Sequence, residues 1–172
     1  FSGVAKRQFH VARFLVSCAP DTGFGTGGSA SIAFSGTRDD EATTLRVDAL
    51  NRIHVAGYAT NASLRKSVGL ARLTRTGALD PTFGSGGLAL RDAAGGDEFV
   101  PAALAVGREG FSFVLSRHVA GASGQAGFAI TRFTAAGSAD STFAPAGDTV
   151  FEAESAGGTP RSIAVAADGR LL

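Results

Sequence analysis

The sequence predicts an all-β protein built from repeated antiparallel sheets of four short strands, and three observations carry that prediction. A phenylalanine-bearing turn recurs at Phe24, Phe83 and Phe143, at spacings of 59 and 60 residues. A fixed period of this size marks a repeat architecture. Within each period, short apolar stretches alternate in polarity and are rich in β-branched residues and phenylalanine, which suits strands rather than helices. Glycine supplies 24 of the 172 residues and gathers between these stretches, where turns need it.

Composition narrows the class further. Hydrophobic residues make up 44% and charged residues 18%, enough apolar surface for a core and too much for a disordered chain. Phenylalanine contributes 13 aromatics against one tyrosine and no tryptophan, so the core is expected to be phenylalanine-anchored. Sixteen basic and fifteen acidic residues leave a formal charge of +1, which argues against a nucleic-acid partner or a polybasic membrane surface. Cys18 is the sole cysteine, so neither an intrachain disulfide nor a cysteine metal site can form. No apolar run approaches the ~20 residues of a membrane-spanning helix, so no membrane insertion is expected. The chain opens on Phe1-Ser2-Gly3 with neither methionine nor a basic-then-apolar leader, which is expected of a processed or excised piece.

The elements follow in a fixed order. The first strand reads Phe9 to Phe14, then Val68 to Leu73, then Phe128 to Phe133. A turn follows, in which Cys18 stands where the later copies have Gly77 and Gly137; a tolerated turn substitution is the expected role. Next comes Asp21-Thr22-Gly23-Phe24, Asp80-Pro81-Thr82-Phe83 or Asp140-Ser141-Thr142-Phe143, ending in small residues. The aspartate is suited to cap the turn through backbone amides, and the phenylalanine to plug the gap between repeats. Short strands leave at Ala30 to Phe34, Leu88 to Leu90 and Thr149 to Phe151. Acidic stretches at Asp39-Asp40-Glu41, Asp97-Glu98 and Glu152-Glu154 read as solvated loops, without the ligand spacing or glycine pivot of a calcium loop. Strands are then expected at Leu45 to Val47, Leu104 to Val106 and Ile163 to Val165. Hairpin turns follow, of which Asp168-Gly169 carries the clearest signal. Return strands at Ile53 to Tyr58 and Ser112 to Leu115 complete the period.

Residues 1–172 therefore read as one repeat domain, with repeats at 1–44 (partial), 45–103, 104–162 and 163–172 (partial, completed in phase by 1–3). Up-and-down hairpins favour a β-propeller over a linear solenoid. About three blades fall short of the usual four to eight, so further blades in a parent chain, or closure between two chains as a homodimer, are expected.

The strand Ala71-Arg72-Leu73, the turn Gly77 to Gly87 and the hairpin Val165 to Leu172 resemble the delta-60 repeats of bacterial surface and secreted proteins. The resemblance covers essentially the whole chain and is strongest in the middle copy. The first copy departs at Cys18, and the third at Ala144-Pro145-Ala146. It implies a β-propeller array in an extracellular or cell-surface setting and no particular activity.

The same phase sorts the residues that can carry chemistry. Arg13, Arg72 and Arg132 each stand eight residues before Asp21, Asp80 and Asp140, and read as a repeated salt bridge rather than an anion-binding ring. His10, His54 and His118 fall at three different phases and offer no metal spacing. The glycine turns lack a phosphate-loop lysine, and no serine lies in phase with a histidine. No catalytic, cofactor-binding or metal residue is therefore assigned, and no cofactor is expected. The expected function is a non-catalytic binding or scaffolding module for a protein or glycan. Its candidate recognition loops are Thr60 to Ser67, Arg117 to Ala126 and Asp92 to Val100. A hydrolase or lyase at a propeller hub and a purely structural array are the alternatives.

Overall fold

The computed structural model describes residues 6–92, 95–144, 147–152 and 158–172. Ten strands run in chain order: β1 (Phe9–Ala12), β2 (Ser29–Ile32), β3 (Asp40–Val47), β4 (Ile53–Thr60), β5 (Lys66–Leu73), β6 (Leu88–Arg91), β7 (Glu98–Val106), β8 (Ser112–Val119), β9 (Ala126–Phe133) and β10 (Asp148–Glu152). Two antiparallel four-stranded sheets form, β3-β4-β5-β6 and β7-β8-β9-β10, beside a two-stranded sheet of β1 and β2. The protein is thus all-β, with antiparallel sheets consistent with propeller blades. The described sheets do not close into a ring.

Both faces of the middle sheet are covered. Ile53, Val55, Ala71 and Leu73 point one way and bury against Phe9, Val11, Phe24 and Ile32. Ala56, Val68 and Leu70 point the other way and bury against Phe99, Leu104, Val114, Ala129 and Phe133. A strand covered on both faces has no solvent side to keep polar, which is why β4 and β5 read as nearly continuous apolar runs. In β9, which has a full sheet on one side only, alternate residues remain partly exposed. Ile163, Val165 and Leu171 cover part of that second side by packing on Ala103, Ala105 and Phe113. Residues 163–165 form a single bridge, Val165 to Leu171, rather than the expected strand.

The first strand of each four-stranded sheet is longer than the sequence suggests. β3 begins at Asp40 and β7 at Glu98, ahead of the strand starts expected at Leu45 and Leu104, so the sheets span 40–91 and 98–152. A β-bulge hides this, because the register shifts between Ala42 and Thr44 and again between Pro101 and Ala103. One extra residue inverts the in–out alternation, and the period-2 signal fails there. The acidic stretches are corrected accordingly. Asp40 is buried, accepting from the Phe34 amide at 2.9 Å and the Thr60 amide at 3.2 Å. Asp97 accepts from the Gly121 amide at 2.9 Å. Glu154, the expected Phe1-Ser2-Gly3 continuation, Ala93, Ala94, Pro145 and Ala146 lie outside the described residues.

The recurring turn joins one sheet to the next. Within it, the guanidinium Nε atoms of Arg13, Arg72 and Arg132 each donate to Asp21, Asp80 and Asp140 at 2.8 Å. Each guanidinium also lies over its own phenylalanine, 4.7 Å from the Phe24 centroid, 4.5 Å from Phe83 and 4.8 Å from Phe143. Burial works against ionisation of Asp80, yet the Thr82 hydroxyl and amide, together with Arg72, hold its carboxyl below the usual range. Between sheets, Arg72 Nη1 donates to the Ala135 carbonyl at 2.8 Å, and Arg13 Nη1 reaches the Arg75 carbonyl in the same way. The Gly25 amide donates to Thr76 O at 2.8 Å, and the Gly84 amide to Ala136 O at 2.7 Å.

That approach leaves no room for a side chain at Gly77 or Gly137. A Cβ on Gly77 would lie 2.8 Å from the Gly25 nitrogen, and one on Gly137 2.5 Å from the Gly84 nitrogen; both glycines hold φ of +87°. Cys18 takes the same turn with φ of +64°, and no sheet of the described residues lies against it. Gly137→Ala is predicted to destabilise the protein by about 2 kcal/mol or more, combining left-handed strain with a backbone clash. Cys18→Gly, at the same phase, is predicted to stabilise it by up to about 1 kcal/mol. Urea midpoints of the two variants check the opposite signs.

Candidate functional site

Strand directions divide the molecule into two ends. The hairpins after β3 and β7 and the Arg–Asp–Phe turns lie at one end. The connections Thr60 to Ser67 and Arg117 to Ala126, with residues 92 and 95–100 of the third, lie at the other, so antiparallel connectivity brings the described parts of the expected recognition loops to one side.

At this loop end a cavity of about 340 Å³ opens between the segment before β3 and the β4–β5 hairpin. Lys6, Arg7, Arg38 and Lys66 line it together with Asp39 and Tyr58. Both lysines of the chain and its only tyrosine thus meet in one groove. The Lys66 ammonium sits 4.6 Å from the Tyr58 ring centroid. The Tyr58 hydroxyl donates to Glu41 at 3.0 Å, and Arg7 Nη1 donates to the same carboxylate at 2.7 Å. The Arg7 amide donates to Asp39 Oδ1 at 2.9 Å and is the leading cause of that carboxyl's lowered pKa. Burial, with Glu41 alongside, raises the Tyr58 phenol above its ordinary value, so it remains a neutral donor at neutral pH. The carboxylates of the groove are thereby engaged by Arg7 and Tyr58, and Lys6, Arg38 and Lys66 set its sign. It suits an anionic group.

The rim carries a second unusual feature. Leu64, at the tip of the β4–β5 hairpin, is exposed and holds φ of +59°. In the corresponding β8–β9 loop Gly124 takes this conformation, with φ of +68°. A left-handed leucine costs about 1–2 kcal/mol that a glycine would avoid. An apolar side chain is therefore held out at the groove's edge against local preference.

Two further clefts, of about 390 and 350 Å³, open at the opposite end between successive hairpins, at 48–52 with 107–110 and at 107–111 with 166–169. Beside the first, His54 is wholly buried between Asp48 Oδ2, 3.1 Å from Nε2, and Ser112 Oγ, 3.1 Å from Nδ1. Sequence phase missed this serine–histidine pair, because the two residues belong to different sheets and meet only when the sheets stack. Ser112 is also wholly buried, and the trio ties one sheet to the next. The other histidines are dispersed: His118 Nε2 lies 3.0 Å from Asp97, and His10 Nδ1 lies 3.1 Å from Ser31 Oγ. Among the described residues, no three His, Cys, Asp or Glu side chains gather as a metal site. No helix among them is long and apolar enough to cross a membrane.

Among known families, residues 51–83 match the model described as a domain of unknown function (DUF5122) beta-propeller. The match covers β4, β5 and the turn through Phe83, and it supports a β-propeller-like repeat family. No curated protein and no solved structure matches the chain.

Burial pushes the His54 imidazole below its ordinary 6.5, with Asp48 pulling the other way and Arg72 and Arg52 reinforcing the fall. The unfolded chain binds this proton more readily, so the site's contribution to stability is whole above pH 6.5 and lost as pH falls below it. Burial opposes ionisation of Asp48, but Arg52 and His54 hold its carboxyl at about 2 against an ordinary 3.8. Its contribution is lost only below pH 3.8. Denaturant midpoints are therefore predicted to fall in two stages on acidification. His54→Phe, which installs the residue that Phe113 supplies at the same register position, is predicted to remove the upper stage and to shrink the lower one, because Asp48 loses its His54 partner but keeps Arg52.

Proposed function

We propose that the chain is a non-catalytic binding module of a surface or secreted bacterial protein, a delta-60-type repeat array that recognises acidic groups on a glycan or protein through its loop end. The observation that carries this reading is the groove that gathers Lys6, Arg7, Arg38 and Lys66 beside a strained, exposed Leu64. Its sheets supply a rigid frame, and its loops differ between repeats, the division of labour common in recognition scaffolds.

A hydrolase is the second reading, favoured by the Ser112–His54–Asp48 arrangement. Covalent labelling of Ser112 by a serine-directed fluorophosphonate would support it, although both Ser112 and His54 are fully enclosed.

Binding to a panel of carboxylated and sulfated glycans and acidic peptides separates these readings. A ligand is expected whose affinity falls as salt rises and drops about tenfold or more in Arg38→Glu/Lys66→Glu, since each lost charge-assisted contact is worth about 1.5–3 kcal/mol. Leu64→Gly is expected to raise stability by about 1 kcal/mol while weakening the same ligand. Absence of binding across the panel would overturn the groove as a recognition site.

A further inference from the structure

Opposite the basic groove, the Arg–Asp–Phe turns repeat closely, but the hairpins beside them do not. The hairpins after β3 and β7 share one backbone frame. The Asp48 amide donates to Arg52 O and the Asn51 amide to Asp48 O; likewise the Gly107 amide donates to Phe111 O and the Gly110 amide to Gly107 O. Residues 48–52 and 107–111 therefore correspond one to one. Their side chains differ at almost every position: Asp48 against Gly107, Ala49 against Arg108, Leu50 against Glu109 and Arg52 against Phe111. The shape of the hairpin does not account for these differences.

The two hairpins face each other across a cleft of about 390 Å³, within the ~300–1,000 Å³ range of small-ligand sites. A complete four-stranded sheet bounds it on either side, and the two sheets are joined by a shared core.

One wall of the cleft is a braced arginine. Asp48 Oδ1 accepts from the Leu50 and Arg52 amides, both at 2.9 Å. Its Oδ2 accepts from Arg52 Nε at 2.7 Å and lies 3.1 Å from His54 Nε2. This carboxylate is saturated and only 7% exposed, so it orients Arg52 and is closed to a ligand. The two Nη atoms of Arg52 have no partner among the described residues and remain for one. Arg108 and Glu109 line the opposite wall, exposed, and neither side chain makes a hydrogen bond or ion pair among the described residues. Leu50, 68% exposed, adds apolar surface with Val106 and Ala135.

Two guanidiniums, one unpaired carboxylate and an apolar surface in a single cleft match a molecule that carries a carboxylate, an ammonium and a hydrocarbon chain together. The arginines suit the carboxylate. A ligand with an anionic group alone would meet Glu109 as a repulsive neighbour, which selects for the ammonium.

We infer that this cleft binds a free aliphatic α-amino acid, with its carboxylate on Arg52 and Arg108, its ammonium on Glu109 and its side chain against Leu50. The site is separate from the loop-end groove and takes a different class of ligand.

Isothermal titration of the 172-residue chain with L-leucine tests this, beside L-leucinamide, which lacks the carboxylate, and N-acetyl-L-leucine, which lacks the ammonium. L-Leucine is expected to bind, and each analogue to bind about tenfold or more weakly, the loss of one charge-assisted contact. Arg108→Ala and Glu109→Gln are each expected to weaken L-leucine by a similar factor; both side chains are exposed and unbonded, so neither change disturbs the fold. Glu109→Gln should not weaken N-acetyl-L-leucine, and Arg38→Glu/Lys66→Glu, in the loop-end groove, should leave L-leucine binding unchanged. Absence of L-leucine binding at millimolar concentration, indifference to Arg108→Ala, or loss of L-leucine binding in the groove variant would each overturn the inference. So would N-acetyl-L-leucine binding as tightly as L-leucine, which marks a site for anions only.

Discussion

The fold depends on a buried guanidinium. Arg72 is held by the Asp80 carboxylate, the Thr82 hydroxyl, the face of Phe83 and the carbonyl of Ala135, with 2% of its side chain exposed. Enclosing a charge so completely is tolerable only when it is paired and hydrogen-bonded. Here one of those hydrogen bonds is made to the neighbouring repeat. The turn is therefore local in sequence but incomplete by itself, and each repeat needs the next to finish it. Such dependence gives stacked repeats their nearest-neighbour stability.

Imperfections in the copies follow from this arrangement. Gly23 occupies the position of Thr82 and Thr142, so Arg13 lacks the threonine oxygen that Arg72 and Arg132 contact. The carboxylate cap survives, because it needs only the backbone amide: Gly23, Thr82 and Thr142 each donate to their aspartate at 3.0 Å. The departure at Cys18 is of another kind: it keeps the left-handed turn of Gly77 and Gly137, with φ of +64°, and no sheet of the described residues lies against it.

Joint and groove sit at opposite ends of the strands. That separation lets the Arg–Asp–Phe turns stay uniform while the loop end varies in charge and length. Around Lys66 and Arg38 the loop end carries residues with no counterpart in the neighbouring repeat, including a leucine in a conformation that the next loop gives to Gly124. Relations in a repeat of this sort are sharpest when residues are compared at equal register instead of along the chain.

By itself the sequence determined the period, the all-β class, the strand order and the Arg–Asp pairs, because the first three are patterns along the chain and the pairs stand only eight residues apart. Phase alone also placed Cys18 in a glycine's turn. Tertiary structure decided the rest. The bulges at Ala42–Thr44 and Pro101–Ala103 broke the alternation that would have revealed Asp40 and Glu98 as strand residues. Ser112 meets His54, and Lys6 meets Lys66, only across stacked or paired strands, at separations that periodicity cannot register. Whether Leu73 and Phe14, chemically alike and at the same phase, are buried or bare was likewise settled by which sheet lies beside them. Burial belongs to the neighbour as much as to the residue.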